Sequence, residues 1–182
     1  MTLPKSLDGR LRLPAIVAPM FLISGPDLVV DEQSALRPLS PYAASKFMVE
    51  RILQDTVNAS DLRVVALRYF NPIGADPQLR TGLQLLNPSH ALGKLLQARA
   101  EGQPFVVTGV DWPTRDGSGL RDYIHVWDLA RAHVAALQRF DEVTADSAYE
   151  VINLGTGTGI TVFELVAVFA EVTGEEMPVR TA

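Results

Sequence analysis

The chain is predicted to fold as an α/β unit, and two observations carry that prediction. An amphipathic helix opening near Ser40 is followed, after Asn58-Ala59-Ser60-Asp61, by the near-continuous apolar run Val64-Val65-Ala66-Leu67-Arg68-Tyr69-Phe70. Such a run reads as a strand buried on both faces, and helix followed by buried strand is half of the repeat that builds parallel sheets. A second strand and helix, at residues 149–154 and 161–172, repeat the alternation near the end of the chain.

The elements follow in order. Residues 16–23 read as a short strand interrupted by Pro19, and Ser24-Gly25-Pro26-Asp27 as a turn. Residues 31–38 form a polar loop. Ser40 then suits a helix N-cap, because its hydroxyl can accept from an orphan N–H, and Pro41 suits the first helical position. Apolar residues recur with helical spacing at Met48, Val49, Ile52, Leu53 and Val57. The buried run after this helix should stop at Asn71-Pro72-Ile73-Gly74, where proline ends the ladder and glycine permits a sharp turn.

Residues 90–101 predict a helix that carries Leu92, Leu95 and Leu96 on its apolar face and ends at Gly102. A short strand at 105–108, a turn-rich loop at 111–119, a strand at 121–126 and a helix at 128–138 with an acidic first turn come next. The last helix should end near Gly174. No internal repeat, low-complexity tract or linker is visible.

The 182 residues are 47% hydrophobic and 20% charged, with a formal net charge of −5, a composition that suits one folded unit with a sizeable core. The acidic balance and the lack of a basic cluster argue against nucleic-acid binding. Without cysteine there are no disulfides and no thiolate metal sites, and the three histidines are scattered, so no metal is expected. Lys5, Arg10 and Arg12 precede the mostly apolar stretch 13–23, which superficially resembles a signal peptide. Two prolines interrupt that stretch, no small-residue cleavage site follows it, and it is too short to span a bilayer. A cytoplasmic protein with no membrane partner is expected.

Chemistry is suggested first by Tyr42 and Lys46. On a helix they are i and i+4, one turn apart on one face. A free tyrosine titrates near pH 10, and a cation within ~4–6 Å favours the phenolate, the form able to act as a base. The alternative is a tyrosine packed under a lysine stem. Phe70 and Asn71 fall at the carboxyl end of the buried strand, where ligands gather in open α/β sheets. Arg121, opening a strand after a loop, either forks onto a phosphate or makes a surface ion pair with Asp122 or Asp128. His125 and His133 read as structural histidines. Gly155-Thr156-Gly157-Thr158-Gly159 lies between strand and helix, yet lacks both the lysine of a P-loop and the glycine spacing of a dinucleotide fingerprint. A tight turn is the better reading.

Four segments, SALRPLSPYAASKFMVERIL, LRVVALRYFNPIGADP, GVDWPTRDGSGLRDYIHVWDLARAHVAAL and VINLGTGTGITVFELV, resemble the UDP-glucose 4-epimerase family, in that order and at natural spacings. This family belongs to the extended short-chain dehydrogenases/reductases. The resemblance runs from about residue 25 to 173. It implies an NAD-binding Rossmann-type parallel sheet, of which only the second half is recognisable, with part of a smaller substrate-binding lobe. Residues 13–75 and 121–152 would belong mainly to the sheet, and 76–120 and 153–182 mainly to the lobe.

The resemblance further implies interconversion of UDP-glucose and UDP-galactose, in galactose metabolism, by transient oxidation at C4 with bound NAD. Tyr42 and Lys46 would be catalytic and would also touch the cofactor, and Phe70 would meet its nicotinamide end. Asn71, Arg121 and Tyr123 would contact the UDP-sugar, with the 105–108 strand beside the uridine. A homodimer is left open.

Several features depart from the family. No G-x-x-G-x-x-G turn precedes Tyr42, and Ala18-Pro19-Met20-Phe21 stand where a serine-bearing strand is usual. His90 stands where asparagine is usual, and the chain stops soon after Thr173. These departures leave two alternatives, a catalytically inactive epimerase fragment and another NAD-dependent sugar-nucleotide epimerase or dehydratase. A sheet lacking its first strands would also present an apolar edge.

Overall fold

The structure, a computed structural model, describes residues 30–182. The strand expected at 16–23, the turn at 24–27, the basic N-terminal residues and the segment 18–21 lie outside the described residues.

Helix α1 spans Pro41–Ala59 and starts as its sequence dictates, with the Ser40 hydroxyl accepting from the Ala43 N–H at 3.1 Å and Pro41 in the first turn. The chain returns at once in β1, Val64–Tyr69, which pairs in parallel with β6, Tyr149–Leu154, in a register that sets Val64 beside Tyr149 and Tyr69 beside Leu154. Two further helices, α3 (Val126–Gln138) and α4 (Phe140–Val143), connect to β6. Val65 and Leu67 of β1 and Phe140 of α4 are buried together, with Ile152 and Leu154 of β6 and Ala136 of α3 packed against them. Val64 to Leu67 are buried throughout, because helices lie against β1 and β6 lines one edge. Exposed apolar side chains among the described residues include Phe47, Met48, Val49 and Ile52 of α1.

A second core joins α2 (Ala91–Glu101), β3 (Phe105–Val107) and α5 (Val162–Thr173). Leu95 and Ala98 of α2, Phe105 and Val107 of β3, and Leu165, Val166 and Phe169 of α5 are its buried members. Both helices carry the expected stops, Gly102 and Gly174, each in the left-handed region. The C-terminal residues form β8, Val179–Thr181, parallel to β3, an element that its three exposed side chains hid from the sequence reading.

Two expectations need correction. The chain does not stop at Asn71: β2, Asn71–Ile73, continues as a strand and pairs in parallel with β5, Tyr123–His125. Pro72 is tolerated because the Asn71 N–H makes the bond to the neighbouring segment at Asp122, and the proline sits at an exposed alternate position. The strand expected at 121–126 is in fact two. Its first part, β4 (Leu120–Arg121), runs antiparallel to β7 (Ile160–Thr161). The second is β5, and α3 starts at Val126 because the His125 Nδ1 caps it by accepting from the Trp127 N–H at 3.1 Å. Among the described residues no helix is long and apolar enough to cross a membrane.

Candidate active site

The N-terminal turns of α1 present Tyr42 and Lys46 on one face. The Lys46 Nζ stands 5.2 Å from the centre of the Tyr42 ring, and half of the tyrosine is exposed. An ammonium over a ring is attracted by its π face. Among the described residues Lys46 makes no ion pair, so its charge is not already neutralised by a carboxylate.

A second group forms where β1 gives way to β2. The Phe70 N–H donates to the Leu154 carbonyl at 3.3 Å, whereas the next N–H, of Asn71, donates to the Asp122 carbonyl at 3.0 Å. Successive amides point to opposite sides of a strand, so the chain changes partner within one step, from β6 to the β4–β5 segment. Such a change of partner at the carboxyl ends of parallel strands is where α/β sheets open a crevice.

Asp122 ties this junction together. Its carboxylate accepts from the Thr156 N–H at 2.9 Å, the Thr156 hydroxyl at 2.7 Å and the Gly157 N–H at 2.9 Å. The glycine-rich segment 155–159 is therefore a tight turn wrapped around an internal carboxylate, and these amides are not available to an external phosphate. Gly155 is required by closeness: a Cβ there would lie 2.5 Å from the Asp122 Oδ2 and 2.8 Å from the Phe70 Cδ2.

Tyr123 stands opposite Asn71 in the β2–β5 register and packs against the core of α2, β3 and α5. Burial pushes its phenol up from the ordinary value, and the nearby Arg121 charge opposes that only in part. The ion pairs foreseen for Arg121 are not formed. Asp122 is engaged by the 156–157 turn, and Asp128 sits 3.4 Å from Arg131. Arg121 is exposed and donates through Nη1 to the Leu120 carbonyl at 2.6 Å, with no ion pair among the described residues.

His90 caps α2, its Nδ1 accepting from the Gly93 N–H at 3.1 Å, and His133 is bonded to the Leu129 carbonyl at 2.7 Å. Both are accounted for structurally. Sequence reasoning missed Asp122 and the pair Glu50–Arg68, which is described below. The signal was present in each case: an acid or a guanidinium inside an otherwise apolar strand needs a partner.

Residues 23–155 match the family described as "Epimerase: NAD dependent epimerase/dehydratase family". The chain is 43% identical over 163 residues to a UDP-glucose 4-epimerase of Bacillus subtilis (strain 168), an alignment covering 84% of this chain and 45% of the relative. It is similar in structure to a UDP-glucose 4-epimerase from Stenotrophomonas maltophila, solved with bound NAD and formylated UDP-arabinopyranose, with a TM-score of 0.78 and 39% identity. That likeness covers 87% of this chain and 48% of the other. A UDP-glucose 4-epimerase from Bifidobacterium longum in complex with NAD+ and UDP gives a TM-score of 0.75 at 32% identity, over 87% of this chain and 50% of that one. The chain thus spans less than half the length of the curated relatives it matches.

Proposed function

Since the chain belongs to the NAD dependent epimerase/dehydratase family, we propose that its activity is that of a UDP-glucose 4-epimerase, interconverting UDP-glucose and UDP-galactose. The observation that carries this reading is the Lys46 ammonium held over the Tyr42 ring on a half-exposed helix face. The named relatives and their bound NAD and UDP-sugar ligands support it.

Tyr42 takes the proton from the sugar 4-hydroxyl and returns it after the 4-keto sugar has turned over. Lys46 keeps positive charge beside the phenol during the transfer. When bound, NAD supplies a reversible two-electron oxidation at C4. The residues present fit its nicotinamide end: Lys46, with three donors and no carboxylate partner among the described residues, suits the ribose hydroxyls, and Phe70 offers an apolar wall. They do not offer the 155–159 turn to its diphosphate, because Asp122 occupies those amides. Asn71, Tyr123 and Arg121 would hold the UDP-sugar, with the Arg121 guanidinium forking onto the substrate diphosphate. Residues 13–75 and 121–152 would carry the cofactor half, and 76–120 and 153–182 the substrate half; the two separate apolar cores support that division. The wider reading is a cytoplasmic enzyme of galactose metabolism, and the exposed apolar residues of α1 leave a homodimer open.

The test is incubation of the purified chain with UDP-galactose and added NAD, followed by separation of the UDP-sugars. Conversion to UDP-glucose is expected, with Tyr42→Phe lowering kcat by about 10²–10⁴-fold. No conversion, with protein folded by circular dichroism, would favour an inactive fragment. A different UDP-sugar product would favour another member of the family.

A further inference from the structure

Helix α1 buries three positions, Ala43, Glu50 and Val57, spaced by seven. Alanine and valine can pack against a strand in more than one register, but Glu50 cannot, because a carboxylate only 4% exposed needs a defined partner. That partner is Arg68 in β1, itself 7% exposed, which forks onto it through Nε to Oε1 at 3.0 Å and Nη2 to Oε2 at 2.6 Å. The remaining guanidinium arm donates to the Glu32 carbonyl at 3.2 Å, and the Glu32 side chain accepts from the Asn153 N–H of β6 at 2.7 Å. Tyr149, at the start of β6, completes the surroundings. Burial pushes its phenol up to about 12, and the Glu50 charge adds to that.

We propose that Glu50 and Arg68 are positioning residues, a buried pair that fixes the register of α1 against β1 and so sets Tyr42 and Lys46 beside Phe70 and Asn71; this rests on the epimerase reading above. The connection between α1 and β1 is short, so the two run antiparallel, and both groups lie on the same side of the pair. At ~1.5 Å per helical residue Tyr42 is ~12 Å from Glu50 along α1, and at ~3.3 Å per extended residue Asn71, at the start of β2, is ~10 Å along the chain from Arg68. The two reaches match. A slide of one turn in one direction would set Lys46 against Arg68, like charge against like, and in the other would set Gln54 there, which offers the guanidinium no charge; either penalises the wrong register. The pair has a second consequence. Glu50 is one turn from Lys46 and could neutralise it as an i, i+4 partner, but the Arg68 fork holds the carboxylate and leaves the ammonium to Tyr42.

The test compares the unmodified chain with Glu50→Gln/Arg68→Met, which removes both buried charges together, and with Arg68→Lys, which keeps the charge without the fork. Because the chain has no cysteine, Gln54→Cys and Arg131→Cys can carry two nitroxide labels for distance measurement by electron paramagnetic resonance. In the double variant the distance distribution should broaden or move by about one turn, ~5 Å, and kcat should fall ~10–100-fold while KM changes less than ~3-fold. Arg68→Lys should fall between. An unchanged distance with unchanged kcat, and only a lower melting temperature, would overturn the proposal. If the unmodified chain turns over no UDP-sugar, the epimerase reading fails, and the label distances alone still decide whether the pair sets the register.

Discussion

The helices of the two cores are held in different ways. In the core of α2, β3 and α5, apolar side chains from each helix reach a common interior, and Leu95 is fully buried. Both helices carry a side-chain cap at the start and a left-handed glycine at the end. Charged contacts there are exposed ties: Arg99 to Glu175 at 2.8 Å and Arg115 Nε to Glu164 at 2.6 Å. Around β1 the balance is reversed. The strand is buried, but α1 has only three buried residues, one of them a glutamate, and α3 has none that is fully buried. Where many apolar side chains interdigitate, their shapes set the geometry. Where a helix rests on a thin stripe, a buried ion pair must do so, and that is the helix that bears Tyr42 and Lys46.

The sharpest way to break this contrast is to remove one partner of each kind of ion pair. Arg68→Met leaves the Glu50 carboxylate buried and unpaired, so urea unfolding should show a loss of ~3–5 kcal/mol. Arg99→Met removes only an exposed tie, worth at most ~1 kcal/mol. Equal losses would mean that the buried pair is nothing special. Next in size is the apolar counterpart. Leu95→Ala should cost ~2–5 kcal/mol, because the space left by a fully buried leucine closes only in part. Hydrogen exchange should then show weakened protection first in α2, β3 and α5, with β1 amides less affected. Uniform loss across both cores would show that they unfold as one.

How much of this could be read beforehand follows from the same contrast. The start of α1, the buried strand after it, both glycine stops and the tight turn at 155–159 were legible, because each depends on a local rule of capping, periodicity or backbone freedom. The split of the 121–126 strand was not. It depends on Asp122 meeting Thr156 and Gly157, residues more than thirty positions away. Likewise β2 exists because β5 lies alongside Asn71, and no reading of Asn71-Pro72 alone supplies that neighbour. Of the site, the Tyr42–Lys46 face followed from helical spacing. The absence of an Arg121 ion pair among the described residues required knowing that Asp122 and Asp128 were already engaged.

The smallest effect concerns the capped side of the comparison. At the start of α5 the Thr161 hydroxyl accepts from the Glu164 N–H at 3.2 Å, while the Glu164 carboxylate accepts from the Thr161 N–H at 2.9 Å. Arg115 donates to the same carboxylate. Hydrogen bonding from Arg115, followed by that from the Thr161 N–H, holds the Glu164 carboxyl down at about 2 against an ordinary value of 4.5. A carboxyl depressed on folding stabilises above its unfolded value, so the contribution is complete above about pH 4.5 and is lost as pH falls towards 2. Thr161→Ala should cost ~0.5–2 kcal/mol at neutral pH, measured by urea unfolding. Glu164→Gln should flatten the fall in melting temperature between pH 4.5 and 2 by lowering it modestly at pH 7 and changing it little near pH 2, since the neutral amide has one acceptor oxygen in place of two and the site is exposed to solvent. The same acid slope in the variant and the unmodified chain would mean that the box is open in solution, and that packing alone holds α5 in place.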